Sequence, residues 1–170
     1  SLRIMFLGAG SAATGIADLI TTALVDEGLR ADEARQRLWF VDVDGLIVKG
    51  RANLMPHNLP YAHEYSRLGF VDAIDAIQPH VLIGATGAPG TFTQQVVERM
   101  SALNARPVLF ALSNPTSRAE CTAEEAYRWS RGKVIFASGS PFGTVVHDGR
   151  EYRPGQGNNA YVFPGIGLGA

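Results

Sequence analysis

Hydrophobic residues in this chain fall into short unbroken runs that alternate with segments of helical spacing. The runs are Leu2-Arg3-Ile4-Met5-Phe6-Leu7, Leu38-Trp39-Phe40-Val41, Val81-Leu82-Ile83, Pro107-Val108-Leu109-Phe110-Ala111-Leu112 and Val134-Ile135-Phe136-Ala137. Between the first two, Ser11 to Gly28 carries Ile16, Leu19, Ile20, Ala23 and Leu24 on one helical face, with Gly28 placed to end the helix. The pattern further predicts a short polar helix over Ala31–Arg37, two short helices over Ala62–Leu68 and Val71–Ile77, and a helix over Thr93–Leu103. Thr122 and Glu125 form a capping box that opens another. Asn53 to Pro60 reads as loop because Pro56 and Pro60 break regular structure, and Leu46-Ile47-Val48 fits either a short strand or a packed loop. Val145 to Tyr152 reads as a hairpin turning at Asp148-Gly149. Strands with no polar alternation are covered on both faces. The expected fold is therefore α/β: a Rossmann-type, doubly wound, mainly parallel sheet with helices on both faces, plus a small β-hairpin near the C-terminus.

All five runs end in small or polar residues: Gly8-Ala9-Gly10-Ser11, Asp42, Gly84-Ala85-Thr86-Gly87, Ser113-Asn114 and Ser138-Gly139-Ser140. Open α/β sheets bind ligands outside the carboxyl ends of their strands, so these loops predict a crevice. The first has the form of a dinucleotide-binding turn, Gly-x-Gly-x-x-(Gly/Ala), with Ala13 in the third small position. Gly8 permits the tight turn, Gly10 leaves room for a pyrophosphate, and Ala13 lets the helix lie close to its strand. Ser11 and Ala12 then open a helix whose free N–H groups attract phosphate. Asp42, at the end of the second run, has two readings: an acceptor for the adenosine ribose hydroxyls, or a turn residue in Asp42-Val43-Asp44-Gly45. Asp42 and Asp44 fall on opposite faces if the strand continues through both. Asn158 and Asn159, in a glycine-bordered loop, offer amide donors and acceptors, though by themselves they also fit ordinary turn chemistry.

Composition narrows the function classes. A hydrophobic fraction of 46% with 18% charged residues is that of a globular domain with a core. A formal net charge of −1, with no basic run, gives no electrostatic reason to expect nucleic acid or a membrane surface. No apolar stretch reaches membrane-spanning length, and Cys121 is the single cysteine, which suits a reducing, cytoplasmic setting. His57, His63, His80 and His147 show no paired ligand spacing; His80 reads as a loop residue and Cys121 as a buried spectator. Ser138 and Ser140 lack the spacing of a nucleophile elbow. Ser1-Leu2 enters a strand without a preceding cap and Gly165–Ala170 ends on small, apolar residues. Residues 1–170 therefore read as one domain of a longer polypeptide.

Three stretches sharpen the picture. "PVLFALSNPTSRAECTAEEAY" from Pro107, "FASGSPF" over Phe136–Phe142 and "PGQGNNAYVFPG" over Pro154–Gly165 closely resemble the malic enzymes. The glycine turn and "GLIVKGR" over Gly45–Arg51 match the same family, and "FTQQVVERM" over Phe92–Met100 does so more loosely. The resemblance covers essentially the whole chain. It implies oxidative decarboxylation of L-malate to pyruvate and CO2, with NAD or NADP as cofactor and Mg or Mn as the divalent ion. It assigns cofactor contacts to Gly8, Gly10, Ser11, Ala12, Ala13, Asp42, Ala85, Thr86, Gly87, Asn114 and Asn158. Malate contacts fall on Asn114, Asn158 and Asn159. The family's general base, general acid and metal ligands belong to a region before this segment, so no catalytic acid–base residue and no metal ligand is expected here. NADP-selective members tend to carry a Lys in the loop after the second strand. Asn53–Pro60 has no basic residue but His57, with Asn58 and Leu59 near that place, so NAD is the expected cofactor. Dimers or tetramers are implied for the full-length protein. A noncatalytic nucleotide-sensing module and the cofactor domain of another dehydrogenase, such as an amino-acid dehydrogenase, are the alternatives.

Overall fold

The computed structural model describes residues 2–157. Its strands are β1 (Ile4–Leu7), β2 (Leu38–Asp42), β3 (Gly45–Leu46), β4 (Val81–Gly84), β5 (Val108–Ala111), β6 (Ile135–Ser138), β7 (Val145–His147), β8 (Arg150–Tyr152) and β9 (Gly155–Gln156). The helices are α1 (Ser11–Asp26), α2 (Ala31–Arg35), α3 (Phe70–Ile77), α4 (Gln94–Leu103) and α5 (Ala123–Trp129). Seven strands form one sheet in the order β3-β2-β1-β4-β5-β6-β9, and β7 pairs with β8 as a separate antiparallel hairpin. Every pairing in the large sheet is parallel except β2 with β3. The expected mainly parallel, doubly wound architecture with its hairpin is the one observed.

Side-chain alternation in β1 shows why both faces must be covered. Ile4 and Phe6 point into one core with Leu38, Phe40, Ile83, Ala13, Ile16 and Ala17, beneath α1. Met5 and Leu7 point into the other with Leu82, Leu109, Ile74, Val96, Val97 and Met100, beneath α3, α4 and α5. Phe6 and Phe40 stack with ring centroids 4.6 Å apart, which locks β1 to β2. Chain order reverses at β1, since β1 lies between β2 and β4. That reversal is where an open α/β sheet leaves its crevice.

Two stretches differ from the sequence expectation. Asn53–Pro60 is not all loop, because Pro56–Tyr61 forms a 3-10 turn with Pro56 at its start. Ala62–Leu68 is not a helix. Its backbone pairs laterally with the segment after β2: Leu46 N–H donates to Leu68 O at 2.8 Å, Lys49 N–H to His63 O at 2.8 Å, and Val48 bridges His63 in parallel. His63 also stacks on Trp39 at 3.6 Å between centroids, and its Nε2 bonds Leu38 O at 2.8 Å. With His63 committed through both backbone groups and its ring, and Leu68 through its carbonyl, the two ends of the segment are drawn to the sheet edge instead of into a helix. The Gly45–Val48 run is resolved as the two-residue β3 followed by packed chain. The two-residue β9 at Gly155–Gln156 was not foreseen; it is too short to carry a hydrophobic period.

Candidate functional site

The glycine turn sits at the reversal of the sheet. Gly8 has φ +104°, and a Cβ built on it would lie 2.5 Å from the carbonyl oxygen of Ala85. Only glycine lets the loops after β1 and β4 touch at this point. Gly10 differs: it is the N-cap of α1 with φ −79°, and nothing lies within 4 Å of a Cβ built there. The space in front of it is open. α1 starts at Ser11 with no side-chain cap and no acidic residue in its first turn, leaving backbone donors and the positive end of the helix unneutralised. Ala13 is fully buried where α1 meets the sheet, as a small third position requires.

A second element reaches the turn from outside. In the 3-10 turn, His57 Nε2 lies 3.0 Å and Asn58 Nδ2 2.8 Å from the carbonyl oxygen of Ala9. Tyr61 anchors that turn to α1: its hydroxyl donates to Asp18 Oδ1 at 2.5 Å and lies 3.4 Å from Thr21 Oγ1. Burial, and then the Asp18 carboxylate, push the Tyr61 hydroxyl up to about 12. His57 and Asn58, which occupy the loop where NADP-selective members tend to carry a Lys, are thus held against the glycine turn, and Leu59 is exposed.

Asp42 stands at the end of β2, beside the glycine turn. Its carboxylate takes a bidentate pair from Arg51, Nη1 to Oδ1 at 3.0 Å and Nη2 to Oδ2 at 2.8 Å. Oδ1 also accepts from Asp44 N–H at 2.9 Å, so Asp42 is a turn residue and an ion-pair partner together. β2 ends at Asp42, and the turn brings Asp44 to 3.6 Å from the same guanidinium, so the two acids converge instead of facing apart. The Arg51 side chain is only 2% exposed and also donates to the carbonyls of Gly45 and Leu46. A cleft of about 490 Å³ runs from here past Val43 and Phe70 to Gly10 and Thr86.

At the other end, Ala12, Ala85, Gly87, Ser113 and Asn114 line a cleft of about 270 Å³. Asn114 follows β5, and Ser140 Oγ donates to its Oδ1 at 2.5 Å, which leaves the Asn114 amide N–H groups as the available end. Gly139 makes room for it, since a Cβ there would lie 2.9 Å from Asn114 Nδ2 and 2.3 Å from Leu112 O. Ser113 Oγ accepts from Gly87 N–H at 2.8 Å. The predicted residues Gly8, Gly10, Ser11, Ala12, Ala13, Asp42, Ala85, Thr86, Gly87 and Asn114 therefore gather along the carboxyl edge of β1, β2, β4 and β5. Asn158 and Asn159 lie outside the described residues. Sequence reasoning missed Arg51 as the partner of Asp42, Ser140 as the holder of Asn114, and Glu120, which is fully buried between the loops after β4 and β5.

Of the groups set aside, His57 and Ser140 reach the crevice, while His80 and Cys121 are engaged elsewhere. His80 Nδ1 accepts from Arg3 N–H at 3.1 Å. Cys121 is buried, and burial pushes its thiol up, followed by the charges of Glu125 and Glu120. Among the described residues no group of three or more His, Cys, Asp or Glu could hold a metal ion, and no helix is long and apolar enough to cross a membrane.

This arrangement is that of a dinucleotide-binding domain: a helix N-terminus with an open glycine at the sheet reversal, an acid at the end of β2, and amides beyond β5. The family model described as malic enzyme, NAD binding domain, matches residues 1–170. The chain belongs to the malic enzymes. It is 54% identical over 168 residues to the NADP-dependent malic enzyme of Rattus norvegicus, covering 98% of this chain and 29% of that protein. It is 52% identical over 168 residues to the chloroplastic NADP-dependent malic enzyme of Solanum lycopersicum, covering 97% and 29%. A crystal structure assigned as a malic enzyme (malate oxidoreductase) superposes with a TM-score of 0.64 at 22% identity, over 100% of this chain and 39% of that one, and supports the fold. The chain spans under a third of the length of these curated relatives.

Proposed function

We propose that this chain holds NAD or NADP extended across the β1–β4 reversal and presents its nicotinamide to L-malate, as part of a protein that oxidatively decarboxylates malate to pyruvate and CO2. The observation that carries the reading is Asn114, an oriented neutral amide at the far end of the groove that starts at the glycine turn. The cradle fits a dinucleotide: the uncapped α1 N-terminus meets the pyrophosphate beside an open Gly10, and Asp42 stands where ribose hydroxyls arrive. The cofactor supplies a hydride acceptor. The chain's own residues bind and orient: an amide donor fixes the malate hydroxyl and carboxylate without favouring only one charge state of the reacting centre. The general base, the general acid and the ligands for Mg or Mn belong, in this reading, to the part of the relatives that this chain does not span. Assembly into homo-oligomers and a cytoplasmic location are part of the same reading; the buried, unpaired Cys121 suits a reducing compartment.

Asn114→Ala in the full-length polypeptide tests it. Malate turnover is expected to fall about 100-fold through lost orientation, with dinucleotide affinity changed only a few-fold. Unchanged turnover would remove Asn114 from the malate site, and the absence of malate turnover in the unmodified protein would favour a nucleotide-sensing role.

For the cofactor we propose NAD. Both terminal nitrogens of Arg51 are taken by Asp42, Lys49 pairs with Glu64 at 2.9 Å, and Asp44 adds a further negative charge beside the ribose position. A 2′-phosphate would meet Asp42 and Asp44 on one side of this turn, with the exposed Arg67 lining the other. The relatives named above are NADP-dependent by name, so calorimetric titration of both dinucleotides is the direct comparison. Tighter NADP binding would overturn the preference.

A further inference from the structure

Glu120 is a carboxylate with no solvent exposure, placed behind the wall of the crevice. It stands between the loop after β4 and the loop after β5, and donors from both converge on it. Oε1 accepts from Thr86 N–H at 3.0 Å, from the Thr86 hydroxyl at 3.0 Å and from the Ser113 hydroxyl in a short bond. Oε2 accepts from Ser113 N–H at 3.3 Å. The two backbone N–H groups can only donate, the Thr86 hydroxyl divides its proton between Glu120 and the Ala88 carbonyl at 3.1 Å, and among the described residues no cation pairs with Glu120. Dipoles alone hold a buried negative charge, which is costly unless each one is in place. The backbone of the same segment adds two more stitches: Phe92 N–H donates to Glu120 O at 3.0 Å and Gly90 N–H to Ala119 O at 3.4 Å.

The arrangement acts on the two loops that line the smaller cleft. A hydroxyl has one proton. Because Ser113 gives its proton to Glu120, its lone pairs are left to accept Gly87 N–H at 2.8 Å, and this bond ties the β4 loop to the residue before Asn114. β4 is shaped to admit the carboxylate, since a Cβ on Gly84 would lie 2.5 Å from Glu120 Cδ. We infer that Glu120 is a positioning residue for the nicotinamide end of the dinucleotide: its carboxylate sets the spacing of the Thr86-Gly87 and Ser113-Asn114 loops, and its buried charge behind them favours the cationic, oxidised ring over the neutral, reduced one. The inference rests on the dinucleotide reading given above.

The test is titration of the full-length polypeptide with NAD+ and NADH, and with the NADP pair, for the unmodified protein, Glu120→Gln and Glu120→Asp. Gln keeps the size and removes the charge; Asp keeps the charge and shortens the reach. For Glu120→Gln the ratio of oxidised to reduced affinity is expected to move about tenfold toward the reduced form, the order of one charge acting across a protein interior. For Glu120→Asp both affinities are expected to drop several-fold with their ratio kept. An unchanged ratio in a folded Glu120→Gln protein overturns the inference. So does a Glu120→Asp protein that binds both forms as the unmodified one does, and this variant decides alone if Glu120→Gln loses its cooperative melt. If the unmodified protein binds neither dinucleotide, the functional reading itself has failed.

Discussion

Gly8 and Gly10 stand two residues apart in one motif and should fail in opposite ways. An alanine at position 8 must adopt φ near +104°, outside the small left-handed region that side chains tolerate, at roughly 1–2 kcal/mol or more. Its Cβ would also sit 2.5 Å from Ala85 O, a backbone atom tied to β4, and relieving such overpacking typically costs about 1–3 kcal/mol. Gly8→Ala should therefore destabilise by roughly 2–5 kcal/mol, a melting point lower by roughly 5–15 °C for a chain of this size. An alanine at position 10 keeps φ −79° and meets nothing within 4 Å, so stability should stay within about 0.5 kcal/mol or rise slightly. In the proposed dinucleotide reading, however, its methyl group projects into the path of the pyrophosphate. Dinucleotide affinity should fall at least about tenfold, or ~1.4 kcal/mol. Thermal melts without ligand and calorimetric titrations with NAD separate the two effects. A Gly10→Ala protein that melts as low as Gly8→Ala, or that binds dinucleotide as tightly as the unmodified chain, would refute the reasoning.

Further outcomes are expected at three other positions. Tyr61 is held protonated up to about pH 12 in the fold against about 10 in the unfolded chain, so its contribution is whole below pH 10 and lost as pH rises toward 12. Urea melts of Tyr61→Phe should accordingly lie roughly 1–2 kcal/mol below the unmodified protein at neutral pH, with the gap closing between pH 10 and 12. Asp42→Asn takes the bidentate counter-charge from the buried Arg51 guanidinium and leaves only Asp44 at 3.6 Å, so it should cost roughly 2 kcal/mol in the same melts, less than a fully broken buried pair. Cys121 should react with a thiol reagent only on opening of the fold, so its labelling rate should track global stability across denaturant; fast labelling of the native protein would contradict its burial.

The alternation of apolar runs and helical segments was enough to place β1, β2, β4, β5 and β6 and the helices between them, because periodicity reports which faces are buried. The crevice was legible for the same reason: small residues after each run mark where strands stop. What the pattern could not show was pairing at a distance. Glu120 stands beside a capping box with no local pattern to mark it, and its partners lie 34 residues away at Thr86 and seven away at Ser113. Arg51 in a basic-looking stretch gives no sign that Asp42 will bury it. The helix expected at Ala62–Leu68 failed because residues 46–49 claimed its backbone, a lateral competition that no local propensity records. The malate assignment came from family resemblance, and Asn158 and Asn159, which weighed heavily in it, lie outside the described residues.

The grip of His57 and Asn58 on the Ala9 carbonyl has a consequence for a group that neither residue touches. In a trans peptide the C=O and N–H bonds point in opposite directions across one rigid plane. Holding the Ala9 oxygen outward fixes that plane, and with it the direction of the Gly10 N–H on the far side. The 3-10 segment thus works as an aiming screw for a backbone donor at the mouth of the crevice. In the proposed dinucleotide reading, changes at positions 57 and 58 would alter pyrophosphate affinity by turning one peptide, with no new contact to the bound molecule.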